Sequence, residues 1–127
     1  MRLIAIDYGE KRVGIASTDE TGRFALPRVV LENDDTLLSK ILRFKEENNI
    51  EKVIIGESKN FKGEANPIQE KIEKFRNELE EFGVKTVFHP EIMTTTEARQ
   101  LQGQTDMTDA SAAALILKSY IDSVNIK

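Results

Sequence analysis

Cysteine is absent from all 127 residues. That excludes thiolate metal sites, disulfides and a cysteine nucleophile, and it leans only slightly toward a reducing compartment. Long apolar runs are missing too, and nothing approaches the roughly 20 residues needed to span a bilayer. The early stretch Leu3 to Ile6 is cut by Asp7 and followed by Lys11 and Arg12, which is not the pattern of a signal peptide. Without an export or anchoring signal, the expectation is a cytoplasmic protein with no membrane partner. Positive charge is scarce: 18 Lys and Arg stand against 22 Asp and Glu, for a net −4. That balance argues against general coating of nucleic acid, which draws most of its affinity from a basic surface. It does not exclude a nuclease, because carboxylates gathered to hold metal add negative charge that bound cations locally reverse.

What remains is ordinary for a globular protein, with 39% hydrophobic and 31% charged residues. The length suits a single domain over residues 1–127. Arg2 to Ile6 reads as a strand buried on both faces, with Asp7 at its end. A turn at Asp7-Tyr8-Gly9-Glu10 leads to a second strand, Arg12 to Ser17, and another turn to a third around Phe24 to Leu31. Pro27 sends that third strand to a sheet edge, since proline cannot donate to the ladder. The period then changes. Leu37, Leu38, Ile41, Leu42 and Phe44 fall at helical spacing behind Asn33-Asp34-Asp35. Val53 to Ile55 is a short strand stopping at Gly56. Asn66 as N-cap, Pro67 and Gln69 open a helix with the stripe Ile68, Ile72, Phe75 and Leu79, ended by Gly83. Val84 to Phe88 is the fifth strand, Thr94-x-x-Glu97 caps a short helix, and a last helix starts near Thr108 or Asp109. The order predicts an α/β fold: a mixed five-stranded sheet, made of an antiparallel three-strand meander plus two parallel strands, with helices on both faces.

If strands four and five run parallel to strand one, their carboxyl ends share one edge, where α/β proteins build sites. Asp7, Glu57 and Glu91 belong to that edge, and Asp109 joins them if the last helix packs beside strand one. Each acid alone has an ordinary reading as a cap or a solvated charge. Asp7 is the hardest to dismiss, because a carboxylate buried at the end of an apolar strand needs a partner. Together they suit Mg²⁺ or Mn²⁺, which take oxygen ligands and relieve the mutual repulsion of the acids. Lys11 and Arg12, with Lys59, Lys62 and Arg99, are candidates to hold phosphate. His89 reads as a surface histidine at a strand end.

The segment Asp7-Tyr8-Gly9-Glu10-Lys11-Arg12-Val13-Gly14-Ile15-Ala16 resembles the opening motif of the YqgF/RuvX family. The likeness runs through nearly the whole chain. Asn60 and Gly63 sit where that family has an Asn-Met-Asp-Gly-like segment. Glu91-Ile92-Met93-Thr94-Thr95 is similar to its Asp-Glu-Arg-Leu-Thr-Thr segment, and Asp109-Ala110-Ser111-Ala112-Ala113 to its Asp-x-x-Ala-Ala helix start. The resemblance implies an RNase H-like fold and a nuclease dependent on Mg²⁺ or Mn²⁺. It places Asp7, Glu91 and Asp109 at the catalytic metal-binding positions, adds Asn60 to the substrate contacts, and leaves Glu57 as a second-tier ligand that the family lacks. Pro90, Ile92 and Glu10 also depart from the family pattern. The implied substrates are structured RNA or branched DNA, through 5′-end processing of pre-16S ribosomal RNA on a ribosomal assembly intermediate or through resolution of four-way junctions. A noncatalytic RNA-binding or ribosome-assembly module is the contrasting reading. No heptad run marks a dimer, so the expected state is a monomer or a homodimer.

Overall fold

The computed structural model describes residues 2–19, 21–57, 68–90 and 106–125. Three strands open the chain: β1 (Leu3–Tyr8), β2 (Arg12–Thr18) and β3 (Ala25–Glu32). They are followed by α1 (Leu37–Glu47), β4 (Lys52–Glu57), α2 (Gln69–Glu81), β5 (Thr86–Pro90) and α3 (Asp106–Asn125). The sheet runs β3-β2-β1-β4-β5. β1–β2 and β2–β3 pair antiparallel, while β1–β4 and β4–β5 pair parallel. The mixed five-stranded sheet expected from the pattern is observed, with the RNase H-like topology that the resemblance implies.

Strand alternation sorts the apolar residues into two layers. Ile4, Ile6, Val13, Ile15, Val53 and Ile55 meet Leu37 and Ile41 of α1 and Ile72, Phe75 and Leu79 of α2. Leu3, Ala5, Ala16 and Ile54 meet Ala113, Ile116, Leu117 and Ile121 of α3 on the other side. Two-sided burial explains the continuous apolar runs Leu3 to Ile6 and Val53 to Ile55. Alanines at 110, 112 and 113, all fully buried, bring α3 close to the sheet.

Local chemistry corrects several boundaries. β1 continues past Asp7 to Tyr8, which pairs with Val13. β4 passes through Gly56 to Glu57, because β5 supplies partners for both. β5 starts at Thr86, not Val84: the Val84 N–H closes the end of α2 by donating to Leu79 O at 3.2 Å. Gly83 terminates α2 at φ +80°, the left-handed conformation that glycine adopts without strain. Of the three residues heading α1, Asp34 accepts from the Thr36 N–H at 2.9 Å, while Asn33 donates back to Gly9 O at 2.8 Å. β3 is an edge strand, as Pro27 requires, and a bulge at Arg28 shifts its register against Ile15 and Ala16. The Asn66 cap, Pro67 and the Thr94 to Gln102 helix lie outside the described residues.

Candidate active site

Asp7 lies at the carboxyl end of β1, one residue before Tyr8. Its backbone is fixed by β1, locked between β2 and β4, so the carboxylate inherits the rigidity of the sheet centre. Leu3 and Ala5 contact the α3 layer, and Asp7 is in phase with them. Asp7 is therefore assigned to the α3 face, where it is only 7% exposed. Its Cα partner in β2 is Gly14. In β4 the residue after Ile55, the partner of Ile6, is Gly56. Glycines thus flank the carboxylate on both neighbouring strands, and neither places a side chain beside it. An acid buried at the carboxyl end of a central strand fits an oxygen ligand for a hard cation.

The same face receives His89, whose Cα partner is Gly56. The surface position expected for this histidine is corrected. His89 is half-buried, with Nε2 2.9 Å from Ser119 Oγ and its ring edge-on to Tyr120 at 5.9 Å. Burial lowers its pKa, and the nearby Glu57 carboxylate partly offsets this. The imidazole fastens β5 to α3 beside the end of β5. No spacing rule in the sequence links His89 to Ser119, thirty residues away.

Asp109 lies in the first turn of α3, the helix packed on the face to which Asp7 is assigned; its side chain is outside the described residues. Glu91 follows Pro90, the last residue of β5, and is itself outside them. Glu57 ends β4 half-buried, in phase with Val53 and Ile55 and hence with the α1/α2 layer. The topology therefore brings the ends of β1, β4 and β5 to one edge, with Asp7 and α3 on one face of the sheet and Glu57 in the phase of the other. Among the described residues, no three Asp, Glu, His or Cys side chains group closely enough to hold an ion.

Lys11 in the β1–β2 turn and Arg12 at the start of β2 stand exposed and line a 780 Å³ cleft with Glu10, Glu32, Asn33 and Asp34. Two hydrogen bonds hold that turn to the end of β3: Asn33 Nδ2 to Gly9 O at 2.8 Å and Asn33 N to Lys11 O at 2.9 Å. Lys59, Asn60, Lys62 and Arg99 lie outside the described residues. No described helix is long and apolar enough to cross a membrane.

Comparison with known proteins matches these features to one family. The family model described as RuvX, Holliday junction resolvase, covers residues 1–123. A relative from Carboxydothermus hydrogenoformans, provisionally named a pre-16S rRNA nuclease, is 32% identical over 96% of this chain and 96% of its own. One of the same name from Desulforudis audaxviator is 33% identical over 97% of this chain and 95% of its own. T. thermophilus RuvC, solved in complex with a Holliday junction substrate, shares the fold at a TM-score of 0.60 and 14% identity, covering 98% of this chain and 96% of that one. The chain belongs to the RuvX family, whose members are described as nucleic-acid nucleases.

Proposed function

We propose that the chain is a divalent-metal-dependent endonuclease that trims the 5′ end of pre-16S ribosomal RNA, with Asp7, Glu91 and Asp109 as its metal-binding carboxylates. The observation that carries this reading is Asp7 itself, a buried carboxylate between two glycine positions at the sheet edge where β1, β4 and β5 end. Mg²⁺ or Mn²⁺ held there supplies Lewis acidity for phosphodiester hydrolysis. The chain's own part is to hold Asp7 rigidly on β1, with Asp109 supplied by the first turn of α3 and Glu91 by the segment after β5, and to receive the phosphate backbone at Lys11 and Arg12. Asn60, Lys59, Lys62 and Arg99 extend that contact, and Glu57 is a second-tier ligand.

Two relatives sharing about a third of their residues with this chain carry the pre-16S name, and this supports RNA over branched DNA. The rival reading, junction resolution, takes its support from the family description. Incubating the protein and Mn²⁺ with a precursor 16S 5′ fragment and, separately, a synthetic four-way junction discriminates between them. Cleavage of the RNA with the junction intact is the expected result. Paired symmetric nicks in the junction with the RNA untouched would reverse the assignment, and cleavage of neither would favour a noncatalytic assembly module.

A further inference from the structure

Three hollows follow one another along β3. The 780 Å³ cleft of Lys11 and Arg12 is level with Asp7, because Val30 in its lining pairs with Gly14, and Gly14 with Asp7. It shares Leu31 with a 320 Å³ groove between β3 and α1, floored by Val29, Ile41 and Phe44 and edged by Lys40. A 290 Å³ pocket comes next, lined by Leu26, Arg28 and Asn48 and by Arg2, which precedes β1. From the Asp7 edge to Arg2 the row runs the length of β1, about 20 Å at the rise of a strand.

Cations accompany the whole row. Arg28 is the extra residue of the β3 bulge, since Val29 pairs with Ile15 and Pro27 with Ala16. In a regular strand Arg28 and Val29 would point to opposite faces. The bulge turns both toward α1, and the Arg28 guanidinium lies over the Phe44 ring at 5.7 Å. Lys40 and Arg43 are exposed one helical turn apart on α1, and Arg2 donates to Asn48 O at 3.1 Å. Among the described residues, none of these four cations has an ion-pair partner within 4 Å. Stretches 21–31 and 36–45 contain no acid, although the chain as a whole is net negative. The acids in the three linings stand at the two ends of the row. Asp34 accepts from the Thr36 N–H at 2.9 Å and Asp19 from the Arg23 N–H at 3.2 Å, Glu10 lies 3.8 Å from Lys71, and Glu32 closes β3.

We propose that this row is a track for single-stranded nucleic acid, which crosses the Asp7 edge over Lys11 and Arg12 and continues along the β3–α1 seam to Arg28 and Arg2. Lys40, Arg43, Arg28 and Arg2 meet successive phosphates, lysine as a point charge and arginine as a planar fork. The apolar floor between them is what selects a single strand. Unpaired bases bring flat apolar faces to such a floor, whereas a duplex keeps those faces stacked inside and presents phosphates alone. A duplex would leave the groove of Val29, Ile41 and Phe44 unfilled. The track also fits the acidic balance of the chain, because it concentrates unpaired cations on one seam and needs no general basic surface. It rests on the nuclease reading for the identity of the strand, precursor RNA held to one side of the cut.

Fluorescence anisotropy with a labelled single-stranded RNA of about 15 nucleotides tests the track. The titration is run in EDTA across a salt series, so that binding is read apart from hydrolysis. Arg28→Gln with Lys40→Gln should weaken binding about tenfold and lower the slope of log affinity against log salt by about 1.4, the share of two phosphate contacts on a single strand. Lys40→Gln with Arg43→Gln, which leaves the bulge untouched, should act in the same direction, and circular dichroism confirms the fold of both. Lys85→Gln with Lys118→Gln makes the same change of charge away from the seam and should alter neither quantity. Equal losses in all three proteins would reduce the effect to net charge and overturn the track. Tighter binding of a duplex of the same length, ready displacement of the RNA by polyglutamate, or no binding by wild type overturns it as well. Seam-dependent binding without cleavage in Mn²⁺ would keep the track and remove the nuclease reading; cleavage without seam-dependent binding would do the reverse.

Discussion

Gly9 and Gly83 show that the same residue is used for two different physical reasons. A Cβ on Gly9 would stand 2.5 Å from the Arg12 carbonyl oxygen, a backbone atom that cannot rotate away. Gly9→Ala therefore has to open the β1–β2 turn, loosening the Asn33 bond and shifting Lys11 and Arg12. A loss of about 1–3 kcal/mol is expected for such overpacking, together with weaker nucleic-acid binding. Denaturant melts and a binding titration check both; an unchanged melt would show that the turn relaxes freely. His89 makes a related point. Its partner Ser119 is invisible in the sequence, so a residue that reads as a solvated strand end proves to be a clasp between β5 and α3.

At the scale of elements, Gly83 ends α2 with nothing within 4 Å of its virtual Cβ. The cost of Gly83→Ala is thus conformational, about 1 kcal/mol, and Gly83→Asn should recover part of it because asparagine tolerates φ above zero. Thermal melts of the pair check this; equal losses would mean that the side chain and not the backbone is at fault. Element identity was legible from the sequence because the periods are strong: two-sided apolar runs for β1 and β4, a 3.6-residue stripe for α2, and Pro27 for the β3 edge. The errors fell at boundaries, where tertiary pairing decides. β5 extends to Pro90 because Gly56 and Glu57 need partners, and Val84 belongs to the closing turn of α2. The shared edge at which β1, β4 and β5 end was also legible, since the strand order puts the three side by side. The phase of each acid was not, because it depends on where each strand stops. One residue of extension places Glu57 in register with Val53 and Ile55, and not with Asp7.

For the whole molecule, the two core layers separate tasks. The α1/α2 layer supplies much of the apolar burial, while the α3 layer covers the face to which Asp7 is assigned and carries Asp109 in its first turn. The central claim is that Asp7 acts as a metal-holding carboxylate in phosphodiester hydrolysis, and Asp7→Asn tests it most directly. The change removes the charge but nearly preserves shape, so folding should be intact. Cleavage of a precursor 16S 5′ fragment by wild type and Asp7→Asn, each in Mn²⁺, is the measurement. A fall of several orders of magnitude with an unaltered circular dichroism spectrum is the predicted result; undiminished cleavage by a clean Asp7→Asn preparation would contradict it.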